Sequence, residues 1–383
     1  MASAKVGRPA VPTGGSPPAQ ARSARIHPEH RPRSPAAMLA PVLVGLVLVL
    51  LVGCGPRVAG MGPPLVTPAL LSGPASDPEG GALIAGDGAA LPVRIYRPDG
   101  PPRGVILAIH GLNDTSRDFL EPDTAPLLTA GGQLVYAYDQ RGFGRAPDRG
   151  LWPGTDTLVA DARAMVAALR ARHPDLPLTV LGESMGGAVA LLAATEEPAP
   201  PIDRLVLSAP ALWSRDEIGP VASGVLGALA YGLPALSFPA SGGNIRASDN
   251  EAALRRFGAD PLTLKQTRAD VGYGLFDLMD RAVAALPGCC RMRAILLHGE
   301  HDRLVPDSVL RHALTAGAAE DSAQARGTLR LAVYPDGWHL LLRDMNRAAV
   351  ARDVLSFIDD PAAPLPSGAE TRAEAWLHEK DAH

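Results

Sequence analysis

The chain has 383 residues, which exceeds the usual size of one domain, but α/β folds longer than roughly 200 residues often share a single core. Hydrophobic residues make up 46% and charged residues 20% of the chain, whereas 40 glycines and 38 prolines predict that part of it is unstructured. A formal net charge of -4 offers no basic field for phosphates, so nucleic acid is not expected as a partner. Three cysteines, two of them adjacent, predict no structural disulfide.

The first 54 residues are predicted to be a targeting segment rather than part of the folded domain. Residues 1–35 are rich in Pro, Ala, Ser and Arg without apolar periodicity, which predicts disorder. An uninterrupted apolar run at residues 38–52 follows several arginines, in the order expected of a signal segment. This run is shorter than the roughly 20 residues that span a bilayer as a helix.

The apolar run ends in Leu-Val-Gly-Cys at residues 51–54, which resembles the lipobox of bacterial lipoproteins. Cys54 is therefore the predicted lipid anchor, and we expect an exported protein held to a membrane of the cell envelope. An ordinary signal peptide, or a short membrane anchor with an incidental cysteine, is the alternative interpretation. Residues 55–80 are dense in Pro and Gly and are predicted to form a tether.

From residue 81 onward, short apolar runs alternate with longer helical patterns, which predicts a mostly parallel sheet flanked by helices. A Gly-Asp-Gly turn at residues 86–88 predicts an opening hairpin. A helix is predicted after residue 157, because apolar side chains recur there on one face. The predicted strands are residues 91–96, 105–110, 134–138, 178–181, 205–207, 295–298 and 329–333.

A Gly-x-Ser-x-Gly sequence at residues 182–186 follows one of these strands and precedes a helical run. A strand, a sharp turn and a helix are the context that a nucleophilic serine requires, because the turn projects the hydroxyl into a cleft. We predict that Ser184 is the nucleophile. The alternative is a tight turn that carries a solvated serine.

Serine needs a base to accept its proton, and the base needs a carboxylate to fix its tautomer. The predicted carboxylate, Asp302, follows the strand at residues 295–298, and the predicted base, His339, follows the strand at residues 329–333. Glu300 is the alternative to Asp302 as the acid. The order Ser, Asp, His is that of α/β-hydrolases. His339 could instead cap a helix, and Asp302 could cap a loop. The spacing of His and Glu around residues 298–301 fits no zinc motif, so neither a metal nor another cofactor is expected.

An acyl-transfer intermediate carries negative charge on an oxygen, which two backbone amides could stabilise by roughly 3 kcal/mol each. We assign these oxyanion-hole amides to Leu112, in the loop after the strand at residues 105–110, and to Met185. His110 in the same loop is expected to be a structural hydrogen-bonding partner rather than a base.

These motifs together resemble the monoacylglycerol lipases and lysophospholipases of the α/β-hydrolase superfamily, also called serine aminopeptidase-like hydrolases, over residues 80–359. Further marks of the family are residues 138–144, 173–174, 298–305 and 337–339. The resemblance implies the α/β-hydrolase fold and a triad of Ser184, Asp302 and His339. The sequence departs from the family at Glu183, where His is common, and at residues 112–114, and both departures concern substrate preference.

The segment between the strands at residues 205–207 and 295–298 is too long for a simple crossover, so we expect an inserted helical cap at about residues 211–290. An apolar helical stripe in it is suited to line an acyl pocket, although its members could equally pack only against each other. The stripe is Ile218, Val221, Val225, Leu226, Leu229 and Leu233.

The resulting hypothesis is a catalytic domain at residues 81–360 and a flexible tail at residues 361–383. We expect a membrane-tethered serine esterase or lipase that cleaves monoacylglycerols, lysophospholipids or similar small acyl esters through an acyl-enzyme. The alternatives are a peptidase or another acyl hydrolase of the same fold, and a catalytically silent lipoprotein that uses the fold for binding.

Overall fold

The computed structural model describes residues 70–72, 81–240, 245–316 and 327–379, all within one compact unit. The predicted signal segment at residues 1–54, including Cys54, lies outside the described residues. Most of the predicted tether also lies outside them, but residues 70–72 form a strand, which the tether prediction did not include. None of the described helices is long and apolar enough to cross a membrane.

The predicted strands are all present, and the described chain has eleven in total. They are β1 (Leu70–Ser72), β2 (Gly81–Ile84), β3 (Ala90–Tyr96), β4 (Gly104–Ile109), β5 (Gln133–Tyr138), β6 (Leu178–Glu183), β7 (Arg204–Ser208), β8 (Ser237–Pro239), β9 (Gln266–Arg268), β10 (Arg293–Gly299) and β11 (Leu329–Tyr334).

Nine of these strands form one sheet in the order β1-β2-β3-β5-β4-β6-β7-β10-β11. The six strands from β5 to β11 in this order are parallel, and β1, β2 and β3 add an antiparallel edge. Every residue of β4, β5 and β6 is buried, as expected for strands that are covered on both faces. The prediction of a mostly parallel central sheet is therefore confirmed.

The described chain has ten α-helices, which cover both faces of this sheet and build the insert between β7 and β10. They are α1 (Ser116–Leu120), α2 (Thr124–Ala130), α3 (Thr155–Arg172), α4 (Met185–Thr195), α5 (Arg215–Gly232), α6 (Glu251–Ala259), α7 (Ala269–Ala285), α8 (Asp307–Ala316), α9 (Arg347–Asp359) and α10 (Ala369–Leu377). The buried apolar side chains form two clusters, one that joins the sheet to α3, α4 and α7 and one that joins it to α1, α2 and α9. Alternate residues of β4 belong to opposite clusters, because side chains alternate across a strand.

The inserted cap is present between β7 and β10 and contains α5, α6, α7 and the two-stranded β8-β9 sheet. Its predicted acyl-pocket stripe is wrong in part, because Val221, Val225 and Leu233 are 80%, 55% and 59% exposed. Gly219, with a positive φ of 77° before Pro220, kinks α5 between Ile218 and the rest of the stripe. The three exposed residues all lie after this kink, on a segment whose buried residue is Ala230, so this segment packs along a face that the apolar periodicity did not identify.

The C-terminal segment also differs from the sequence prediction, which was a flexible tail beginning at residue 361. Helix α10 packs against the sheet at β11, and Trp376 is fully buried. Arg372 on this helix binds Glu300, and Glu370 binds Arg330 of β11. The tail is ordered because a large aromatic side chain and two ion pairs hold it to the sheet edge.

The two adjacent cysteines, Cys289 and Cys290, follow the short 3₁₀ helix Leu286–Gly288. Both side chains are buried in the core between the cap and β10.

Candidate active site

Ser184 lies on the sharp turn between β6 and α4. Its φ of 55° and ψ of -120° are outside the regions that side-chain-bearing residues normally adopt. Flanking glycines permit this turn, because a Cβ atom at Gly182 would collide with the carbonyl of Gly186, and one at Gly186 would collide with that of Ile109. The serine is therefore presented at the carboxyl end of a central strand.

His339 and Asp302 lie in loops that follow two neighbouring parallel strands. Gly299 at the end of β10 is in register with Tyr334 at the end of β11, so the two loops leave the sheet side by side. His339 Nδ1 donates to Asp302 Oδ2 at 2.7 Å. The other carboxylate oxygen accepts from the backbone amides of Leu304 at 2.8 Å and Val305 at 2.9 Å.

The charges of this pair stabilise each other. Burial alone would raise the pKa of Asp302, but the charge and hydrogen bond of His339 outweigh it and hold that pKa below its usual value. Burial alone would lower the pKa of His339, but the neighbouring Asp302 carboxylate outweighs it and raises that pKa. Because Nδ1 is bound to a carboxylate, Nε2 of His339 is the nitrogen left to accept a proton.

Glu300, the rival acid, is turned away from His339. It binds the Arg372 guanidinium of α10, with Nη2 donating to Oε2 at 3.0 Å. The structure thus brings His339 together with Asp302 and not with Glu300.

The predicted oxyanion-hole residues flank the nucleophile turn. Met185 is the first residue of α4, where the backbone amide has no acceptor within the helix. The loop that carries Leu112 passes directly against the turn, because a Cβ atom at Gly111 would lie 3.2 Å from Ser184 Cβ. Both amides belong to backbone that lies next to Ser184.

His110 has a structural role, as expected. Its Nε2 accepts from the backbone amide of Gln140 at 3.0 Å, and its Nδ1 donates to the Gly111 carbonyl at 2.8 Å. Gln140 returns a side-chain hydrogen bond to the His110 carbonyl at 2.6 Å. With both ring nitrogens engaged, His110 fixes the loop rather than accepting a proton.

The cap supports the loop that carries His339, which the sequence did not reveal. Asp344 accepts from the Trp338 backbone amide at 2.8 Å and from the hydroxyl of Ser248 in the cap at 2.5 Å. The Leu340 amide donates to the carbonyl of Ala247 at 2.9 Å. Burial raises the pKa of Asp344 to about 6.

The cap is also bonded to the oxyanion loop. Asn113 adopts a positive φ of 62°, and its side-chain amide donates to the Thr267 hydroxyl at 2.7 Å. The Leu264 amide donates to the Asn113 carbonyl at 2.9 Å. The cap therefore holds both the loop that carries His339 and the loop that carries Leu112.

A buried charge cluster beneath the nucleophile turn is the other feature that the sequence did not reveal. Arg343 lies 2.9 Å from Asp114 and 3.0 Å from Asp118, and it also binds Glu183. Glu183 was noted as a departure from the family, and a glutamate at the end of an apolar strand requires a cation when it is buried. The sequence did not indicate which cation would serve.

The described residues contain no cluster of three or more His, Cys, Asp or Glu side chains that could hold a metal ion.

The sheet order, the helical insert and the serine turn define an α/β-hydrolase. The family model described as "Serine aminopeptidase, S33" matches residues 100–346. Because this match covers more than half of the chain, the protein belongs to that family.

Relatives and solved structures agree with this assignment. The monoacylglycerol lipase of Mycolicibacterium smegmatis is 30% identical over 279 residues, which cover 71% of this chain and 93% of that protein. The monoglyceride lipase of Mus musculus is 26% identical over 292 residues, which cover 75% of this chain and 92% of that protein.

Two solved structures share the fold. The Paleococcus ferrophilus monoacylglycerol lipase has a TM-score of 0.56 at 22% identity, over 70% of this chain and 98% of its own. A soluble variant of the Saccharomyces cerevisiae monoglyceride lipase, in complex with a substrate analog, has a TM-score of 0.59 at 17% identity, over 79% and 98% of the respective chains.

Proposed function

We propose that this hydrolase cleaves monoacylglycerols, lysophospholipids or similar small acyl esters, with Ser184 as nucleophile, His339 as general base and Asp302 as the orienting acid. The observation that carries the proposal is the 2.7 Å bond from His339 to Asp302, in loops at the same edge of the sheet as the strained serine turn. Arg343, in the loop that carries His339, also binds Glu183 directly before Ser184. Monoacylglycerol lipase relatives at up to 30% identity support a lipid ester as the substrate.

In the proposed reaction, His339 Nε2 accepts the Ser184 proton while the hydroxyl oxygen attacks the ester carbonyl. Negative charge then develops on the carbonyl oxygen, facing the amides of Leu112 and Met185. Loss of the alcohol leaves an acyl group on Ser184, and His339 gives its proton to the leaving alcohol. Water activated by the same imidazole then releases the fatty acid.

A lipid substrate also agrees with the outer surface of the cap. Large apolar side chains there face solvent, which soluble proteins usually avoid unless the surface meets a partner or a lipid phase. They are Val221, Val225, Tyr231, Leu233, Leu236 and Phe238.

We further propose that Cys54 carries a lipid anchor that holds the enzyme to a membrane of the cell envelope. The support is the Leu-Val-Gly-Cys sequence at residues 51–54 after an apolar run. An anchored enzyme would meet its substrate at the lipid surface, where the exposed cap residues would be useful.

Hydrolysis of a substrate panel by the full chain in detergent tests this function. The panel pairs a monoacylglycerol, a lysophospholipid and a p-nitrophenyl ester with an aminoacyl p-nitroanilide as a peptidase substrate. We expect turnover of the esters only, and a loss of at least about 10³-fold in Ser184→Ala. The matched control is Ser208→Ala, which removes a neighbouring buried serine hydroxyl and should keep activity within a few-fold.

Faster cleavage of the anilide than of any ester would favour a peptidase. Absence of turnover in well-folded protein would favour a silent binding lipoprotein. Ester turnover that survives in Ser184→Ala would refute the assignment of the nucleophile.

A further inference from the structure

Beneath the nucleophile turn, three buried carboxylates surround one guanidinium. Asp114 follows β4, Asp118 is in α1, and Glu183 is the last residue of β6, directly before Ser184. Arg343 contacts all three and is 3% exposed, while Glu183 is 0% exposed. Within the described residues, the second oxygen of the Glu183 carboxylate is buried without a hydrogen-bond partner.

The cluster cannot hold all of its carboxylates ionised at low cost. Three negative charges against one positive charge would leave an excess of negative charge in a buried site, where charge is expensive. Burial, aided by the nearby Asp114, raises the pKa of Glu183 to about 7. Burial also raises the pKa of Asp118 to about 6, with Arg343 and Arg256 opposing and Asp114 and Asp260 adding to the shift.

This cluster lies within electrostatic reach of His339. The charged groups that act on the imidazole are Asp302 and Glu183, which favour its protonated form, and Arg343, which disfavours it. Arg343 follows His339 in the same loop, and its backbone amide donates to the Leu340 carbonyl at 2.7 Å. Glu183 thus interacts electrostatically with His339, and it precedes Ser184 directly in the sequence.

We propose that Glu183 is a positioning residue for the hydrolysis: anchored by Arg343 beneath Ser184, it carries negative charge near His339 at and above neutral pH and there stabilises the imidazolium that forms when the serine is deprotonated. This inference rests on the proposed roles of Ser184 and His339. The competing role is purely structural, in which Glu183 only neutralises Arg343 and leaves His339 unaffected.

The two roles predict different pH profiles for Glu183→Gln, which keeps the shape of the side chain and removes its charge. A carboxylate near an imidazole raises the imidazole pKa, so its removal lowers that pKa. We expect the acid limb of kcat/KM to move to lower pH by roughly half a unit to one unit. The value on the alkaline plateau should fall by about three- to tenfold.

Two further variants act as controls. Glu183→Asp retains the charge and should restore most of the wild-type profile. Asp161→Asn removes a carboxylate from another buried arginine pair, that of Arg141 on the antiparallel side of the sheet, and should leave the acid limb in place. Equal loss of activity at every pH in Glu183→Gln, without displacement of the limb, would overturn the proposal.

A measurement without turnover separates this inference from the proposed function. The imidazole of His339 is titrated by NMR in Ser184→Ala, with and without Glu183→Gln. A lower His339 pKa in the double variant supports the electrostatic coupling even if no ester is cleaved, and an unchanged pKa overturns it even if esters are cleaved.

If Glu183→Gln does not fold, the titration of Ser184→Ala alone decides. Two coupled groups that titrate in the same range give a broadened or two-step curve for His339. A two-step curve supports the proposal, and a simple one-proton curve contradicts it.

Discussion

Asp302 holds His339 by a bond that only a carboxylate can make in this geometry. One of its oxygens accepts from the His339 ring and the other from two backbone amides, so the side chain has no freedom to rotate. The ring is thereby kept in the tautomer whose Nε2 can take a proton. The neighbouring carboxylate, Glu300, is committed to Arg372.

We predict that Asp302→Asn lowers kcat by about 10⁴-fold, because an amide in this position can reverse the hydrogen bond and favour the wrong tautomer. The matched control is Glu300→Gln, which should keep kcat within a few-fold. Steady-state kinetics on a p-nitrophenyl ester provide the measurement. A severe loss in Glu300→Gln with little loss in Asp302→Asn would reverse the assignment of the acid.

The individual residues were predictable from the sequence to different degrees. Ser184, Asp302 and His339 each follow an apolar strand, so the pattern of strands along the chain was enough to indicate that they share one edge of the sheet. Arg343 could not be found in this way, because its partner Asp118 lies 225 residues away along the chain. Such a cluster depends on how loops pack, and local sequence patterns do not report loop packing.

Among the elements, the buried strands were the most predictable and the surface segments the least. A strand covered on both faces must be continuously apolar, so β4, β5 and β6 stand out in the sequence. The cap helix α5 was misread because the part of it that follows Gly219 carries apolar side chains at both exposed and half-buried positions. Apolar periodicity alone therefore does not identify the face of this helix that packs against the rest of the cap.

The C-terminal helix α10 has an apolar pattern at helical spacing, which the prediction of a flexible tail did not take into account. Ala369, Ala373 and Trp376 recur at helical spacing in an otherwise polar segment, and all three are buried. The ring centroid of Trp376 lies 5.1 Å from that of His298. The guanidinium of Arg311 lies 4.9 Å from the same Trp376 centroid. The helix thus closes the sheet edge beside β11.

At the element scale, we predict that Trp376→Ala lowers the free energy of unfolding by about 3–5 kcal/mol, because it removes a fully buried aromatic side chain. Glu374→Ala on the exposed face of the same helix should change it by less than about 0.5 kcal/mol. Urea unfolding monitored by circular dichroism measures both. Equal stability of the two variants would restore the prediction of a flexible tail.

As proposed, the full chain has a tethered N-terminus and a catalytic domain with an apolar cap surface. One acyl chain gives only marginal membrane binding, and stable anchoring requires additional lipid or surface contacts. Exposed cap side chains such as Val221, Val225 and Phe238 would provide such contacts if the anchored enzyme rests on the bilayer.

We predict that Cys54→Ala moves the full chain from the membrane fraction to the soluble or uncleaved precursor fraction and abolishes incorporation of radiolabelled palmitate. Cys290→Ala is the matched control, because it removes a buried cysteine of the folded domain and should leave both the label and the membrane fraction unchanged. Fractionation and labelling of cells that express each variant make the measurement. Palmitate incorporation that persists without Cys54 would contradict the anchor.

Covalent labelling shows whether Ser184 is a nucleophile activated by His339. The full chain is treated with a fluorophosphonate, and the modified peptide is identified by mass spectrometry. We predict a single phosphonylated residue, Ser184, with no label in Ser184→Ala and labelling slowed by at least about 10³-fold in His339→Ala. Label on a different residue, or an undiminished rate without the imidazole, would contradict the account.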